Sequence, residues 1–149
     1  MRLQEDLREF IALLNAAGVE YVIVGAHALA YHGCPRYTGD VDILVRVSQE
    51  NARKLEGVII EFGFGEAALG AEDFLADDRV IQLGVAPNRI DLLTTVTGVT
   101  FEAVWEGKVE AELDGVPVHL IGKKQFIQNK KALGRPKDLA DLDSLLHNP

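Results

Sequence analysis

Tyr21 to Arg46, Y-V-I-V-G-A-H-A-L-A-Y-H-G-C-P-R-Y-T-G-D-V-D-I-L-V-R, reads as strand, glycine turn, helix, loop and second strand. Tyr21 to Val24 is a short apolar run that stops at Gly25, and Ala26 to His32, rich in Ala and Leu, predicts a helix. Gly33 to Gly39 is punctuated by Gly, Pro and Gly and predicts a loop that carries Arg36 and Thr38. Asp40 to Val47 predicts the second strand. Side chains alternate across a strand, so Asp40 and Asp42 share one face while Val41 and Ile43 point into the core. Neighbouring carboxylates repel each other and resist desolvation. A divalent cation relieves both, and Mg²⁺ (or Mn²⁺) takes oxygen ligands while leaving room for substrate phosphates. Asp40 and Asp42 are therefore candidate metal ligands.

The strand–glycine–helix junction at Gly25 aims free N–H groups and the positive end of a helix outward, which suits a phosphate. A plain tight turn is the alternative. Arg36 is permanently charged and forked; it reaches phosphate oxygens, braces the acidic pair or makes a structural salt bridge. His27 and His32 have no Cys or His at metal-ligand spacing and read as packing histidines.

Outward from this stretch, the pattern alternates helices and strands. Leu3, Leu7, Phe10, Ile11 and Leu14 follow helical spacing over Arg2 to Ala17, with Gly18 as the stop. Ser48 reads as the N-cap of a helix to about Phe62, ended by Gly63 and Gly65. The following G-F-G-E-A-A-L-G has no downstream Lys and contains Glu66, so it reads as a connection and not a phosphate loop. Val80 to Val85 and Arg89 to Thr94 predict strands across the turn Ala86-Pro87-Asn88. Phe101 to Trp105 predicts a short helix, with Trp105 a core residue more than a base-stacking platform. Asp114-Gly115 between Lys108 to Leu113 and Val116 to Leu120 predicts a two-residue hairpin. Gly122 to Leu133 predicts a helix stopped at Gly134, and Pro136 starts the next one.

The length of 149 residues predicts one domain with a single core. No apolar run reaches the roughly 18 residues of a membrane span, and the charged N-terminus has no signal-peptide core. With the lone Cys34 these features predict a cytoplasmic protein without an internal disulfide. A net charge of −8 disfavours a broad surface for duplex DNA but leaves room for a local basic pocket. Such a patch stands near the C-terminus, where Lys123, Lys124, Lys130, Lys131, Arg135 and Lys137 cluster. Asp91, inside the apolar R-I-D-L-L-T, is an expensive place for a carboxylate. It is either functional or satisfied by a nearby Arg or backbone groups. Asp73, Asp77 and Asp78 lie in a polar stretch and read as solvated.

Gly25-Ala26, thirteen residues, then Asp40-Val41-Asp42 resembles the signature of the DNA polymerase β-type nucleotidyltransferase superfamily. H-G-C-P-R-Y-T-G-D-V-D is similar to small prokaryotic members of the toxin–antitoxin and abortive-infection type, and N-K-K-A-L-G-R-P-K-D-L-A-D to their C-terminal motif. The resemblance departs at Ala26, where Gly or Ser is usual, so only the backbone N–H carries over.

The resemblance implies an α/β (α+β) nucleotidyltransferase fold: a central mixed sheet of about four or five strands flanked by helices. The expected single domain spans 1–149, with C-terminal helices over 122–147 closing the site, and the resemblance covers most of it. It implies Asp40, Asp42 and Asp91 as catalytic metal ligands. Gly25, Ala26, Arg36, Thr38, Lys130 and Arg135 would bind nucleotide, and Asp138 would steady the basic cluster. Ordinary helix-surface charges, with Asp138 and Asp141 as partners, are the alternative for the last group. The implied reaction moves a nucleoside monophosphate from an NTP to a hydroxyl of RNA, protein or a small molecule. A cognate toxin or antitoxin is an implied partner. A non-catalytic nucleotide-binding or antitoxin-like module is the second reading, and a nuclease using the same carboxylates a third.

Overall fold

The computed structural model describes residues 5–33, 40–64, 70–84 and 89–147. The chain runs α1 (Glu5–Ala17), β1 (Tyr21–Val24), α2 (Ala26–Tyr31), β2 (Val41–Val45) and α3 (Gln49–Ile59). It continues with β3 (Val80–Leu83), β4 (Ile90–Leu93), α4 (Phe101–Glu106), β5 (Val109–Leu113), β6 (Val116–Leu120), α5 (Lys123–Leu133) and α6 (Pro136–His147). None of the described helices is long and apolar enough to cross a membrane.

The expected period-3.6 and period-2 patterns both appear as burial. Leu7, Phe10, Ile11 and Leu14 of α1 are buried, and so are Ala52, Leu55, Val58 and Ile59 of α3. The Ser48 hydroxyl caps α3 by accepting from Asn51 N–H at 3.1 Å. α3 itself stops at Ile59 and passes into a π turn over Ile60–Phe64, where Gly63 takes a φ of 110°. Asp114 and Gly115, at φ 50° and 82°, make the tight turn between β5 and β6.

Among the described residues, six strands join one mixed sheet in the order β3-β4-β2-β1-β6-β5. The sheet is larger than the expected four or five strands because the β5–β6 hairpin does not stand apart. β6 lies parallel to β1, with Ile23 opposite Leu120 and Ile121 N–H donating to Ile23 C=O at 3.0 Å. Val116, Val118 and Leu120 bury one face of β6, against which α1 packs. In the centre, β1 is antiparallel to β2, and β2 is parallel to β4. These central strands are buried almost throughout, as expected for strands covered on each side.

Asn51 ties the sheet to α3. It is buried; its Oδ1 accepts from Glu20 N–H at 2.7 Å, and its Nδ2 donates to Glu20 C=O at 3.1 Å and Arg46 C=O at 2.9 Å. Replacing it with Ala takes this partner from Glu20 N–H and Arg46 C=O, while Glu20 C=O keeps Arg46 N–H at 3.2 Å. Asn51→Ala is expected to destabilise the fold by about 2–3 kcal/mol, read as a lower urea midpoint.

Candidate active site

Strand register places the acidic residues in one row. Val24 stands opposite Asp42, Asp42 opposite Asp91, and Asp91 opposite Gln82. Asp40 lies two residues before Asp42, on the same face. Asp40, Asp42 and Asp91 line a single cleft of about 570 Å³ together with Gly25, Ala26 and Arg89. Val24, Val80 and Leu93 of the sheet, the turn after β4, and Lys130, Arg135 and Lys137 from α5, the α5–α6 junction and α6 also line it. Thus Gly25, Ala26, Lys130 and Arg135 share the cleft with the three carboxylates. Arg36 and Thr38, like Cys34, lie outside the described residues.

Two glycines shape this cleft. Gly25 has a φ of 73°, and a Cβ there would fall 2.3 Å from Asp42 Oδ2. Both the backbone conformation and the carboxylate beside it therefore require glycine. Gly98, at φ 82°, brings the turn after β4 against α5, where a Cβ would sit 2.4 Å from Ala132 Cβ. Asn129 Nδ2 donates to Thr97 C=O at 2.8 Å and fastens the same contact.

The electrostatics concentrate on Asp42, whose carboxyl is pushed up to about 6. Burial is the largest cause, followed by the charges of Asp91 and Asp40 and a carboxyl hydrogen bond with Asp91. Lys130 pulls in the opposite direction. The missed residue is Arg89. Its Nε and Nη2 donate to the two Asp91 oxygens at 2.9 and 3.2 Å, and Nη2 also meets Asp40 Oδ2 at 3.2 Å. Asp91 is therefore both a cleft residue and an arginine-paired one. The signal was present in R-I-D: residues two apart on a strand share a face.

Among the described residues, no three His, Cys, Asp or Glu side chains are drawn together as a metal-holding group. Asp40 and Asp91 close on Arg89 instead. The donor chemistry nevertheless fits a hard divalent cation: the groups are all carboxylates, and Asp42 bears repulsion from two neighbours that Arg89 does not relieve through an ion pair of its own.

On the C-terminal side, Asp138 is fully buried and collects a set of donors. It accepts from Arg135 Nε at 2.6 Å, Arg135 N–H at 3.2 Å and Lys130 Nζ at 3.2 Å. Arg135 above all, then Lys130, holds its carboxyl down at about 2 against the effect of burial. Lys130 also lies 3.5 Å from Asp141, which is buried too. Asp141 was expected only as an ordinary surface partner; burial makes it part of the frame.

The remaining candidates fall outside the cleft. His32 Nε2–H donates to Ile121 C=O at 2.8 Å, and His27 is buried, which lowers its pKa. Asp73 accepts from Gly70 N–H at 2.9 Å and pairs with Arg79 at 3.3 Å, while Asp78 accepts from Thr95 Oγ1 at 2.9 Å. Trp105 stacks on Phe101 under Lys108, whose Nζ is 3.9 Å from the ring centre.

The architecture has counterparts among solved structures. The chain is similar to a candidate nucleotidyltransferase of Thermotoga maritima, with a TM-score of 0.60 and 17% identity over 96% of this chain and 91% of that one. It is also similar to an antigenic nucleotidyltransferase-like protein of Paracoccidioides brasiliensis, with a TM-score of 0.55 and 16% identity over 98% and 78% of the two chains. No family model and no curated protein matches the sequence. The fold is that of nucleotidyltransferases: a six-stranded mixed sheet flanked by helices.

Proposed function

We propose that this protein is a Mg²⁺-dependent nucleotidyltransferase. One observation carries the reading: Asp40, Asp42 and Asp91 line the same cleft as Lys130, Arg135 and Lys137, on a nucleotidyltransferase fold. The cleft volume of about 570 Å³ suits a small-molecule ligand such as one nucleotide. In this reading the acceptor hydroxyl oxygen forms a bond to the α-phosphorus as the bond to the pyrophosphate oxygen breaks. Asp91 takes the hydroxyl proton. Asp40, Asp42 and Asp91 would hold the cation, and a bound Mg²⁺ would supply charge stabilisation for the α-phosphate and the leaving pyrophosphate. Arg89 sets Asp40 and Asp91 through its fork. Gly25 lets the strand–helix turn come close to Asp42, leaving backbone N–H groups as the only phosphate contacts at that turn.

Calorimetric titration with each of the four NTPs, with and without Mg²⁺, tests the site. Binding is expected to require Mg²⁺ and to weaken at least about 10-fold in Asp40→Asn. A folded wild type that binds no NTP would remove this reading.

The second reading, a nucleotide-binding module without turnover, is favoured by Arg89, which already claims two of the three carboxylates. Ala26, without a hydroxyl, points the same way. An antitoxin-like role with a cognate partner protein belongs to this reading. NTP binding without transfer of label from an α-labelled NTP would distinguish it.

A further inference from the structure

The cations lining the cleft are not equally available. Lys130 and Arg135 are set against Asp138 and Asp141, so two positive groups face two negative ones. Arg89 is shared between Asp40 and Asp91. Lys137, in the first turn of α6, lines the same cleft and is exposed. Among the described residues it is the cleft-lining cation that enters no ion pair.

Resting on the nucleotidyl-transfer reading, we propose that Lys137 is the principal side-chain contact for the polyphosphate tail of the nucleotide, the part that leaves as pyrophosphate. A phosphate that drew Lys130 or Arg135 away from Asp138 would take from a fully buried carboxylate one of the two cations that compensate it, which is unfavourable. Engaging Lys137 breaks no existing pair. Its ammonium is a compact charge on a flexible stem, suited to a polyphosphate that changes position as its bond breaks. The buried set then has a different task from the one its charges suggest. Asp138 ties the end of α5 to the start of α6, and Lys137, the residue just before it, is held at the cleft by that tie. In a chain of net charge −8, a cation kept out of internal pairs is also the means of drawing in a polyanion.

The test titrates inorganic tripolyphosphate and the four NTPs, each with Mg²⁺, into wild type, Lys137→Ala, Lys137→Arg and Lys131→Ala. Lys131 is exposed on α5 and does not line the cleft, so it controls for general charge. Lys137→Ala is expected to weaken both probes about 10-fold, with Lys137→Arg close to wild type and Lys131→Ala within about two-fold. Wild-type affinity in Lys137→Ala would overturn the assignment and leave the transfer reading standing. An equal loss in Lys131→Ala would also overturn it, by reducing the effect to net charge. A wild type that binds neither tripolyphosphate nor any NTP would sink both.

Discussion

Asp42→Asn is expected to lower metal-dependent transfer of label from an α-labelled NTP by about 10³-fold while leaving the fold at least as stable at neutral pH. The two effects have one origin. Asp42 is buried beside Asp91 and Asp40, and its carboxyl is pushed up to about 6. A folded-state value above the unfolded one, near 3.9, means that folding favours the protonated form. That contribution is fully present below about pH 4 and is lost as pH rises through about 6. Asn keeps the shape and stays neutral, so at pH 7 it removes an unfavourable charge from the cleft. The same ionised carboxylate is what a cation needs, so metal affinity in the wild type should rise through about pH 6. Thermal melting and label transfer on the same preparations check both halves. A variant that unfolds early would mean that Asp42 is a structural residue, and full activity would remove it from the proposed metal site.

The second large effect is structural. Asp138→Ala is expected to cost about 3–5 kcal/mol of stability, the range for breaking a buried ion pair by deleting one member. Lys130 would keep only Asp141, at 3.5 Å, and Arg135 would lose its fork. The α5–α6 junction depends on this carboxylate, because Arg135 N–H also donates to it. The pH dependence has the opposite sign to that of Asp42. A carboxyl held at about 2, below its unfolded value, contributes stability that is present above about pH 4 and lost as pH falls towards 2. Urea unfolding at pH 7, 4 and 2.5 should therefore show the gap between wild type and Asp138→Ala narrowing at the acid end. A gap of under about 1 kcal/mol at pH 7 would place Asp138 among ordinary surface partners.

Most of the elements were legible because their signals are local. The apolar spacing of Leu7, Phe10, Ile11 and Leu14, the Ser48 cap, the Asp114-Gly115 turn and the Gly134 stop each act within a few residues. The register that sets Asp42 opposite Asp91 was not local: those residues are far apart in the chain and meet only because β2 and β4 are parallel neighbours. Arg89 was missed for a related reason. Its partner Asp91 is two residues away, but its second partner, Asp40, comes from the residue just before β2, remote in the chain. Asp141 and Lys137 have the same residue types as many surface helix positions; only burial and the cleft separate one as a frame residue and the other as an exposed cation.

Read alone, the chain settled which segments are helices and strands, and it singled out Asp40, Asp42 and Gly25, because alternation, helical period and glycine's conformational freedom are properties of neighbouring residues. Tertiary structure decided that six strands form one sheet. It also decided that Gly25 has no room for a Cβ beside Asp42, and that most cleft cations are already paired. Those outcomes depend on distances between segments remote in sequence, and on the desolvation that comes only when the segments close over one another.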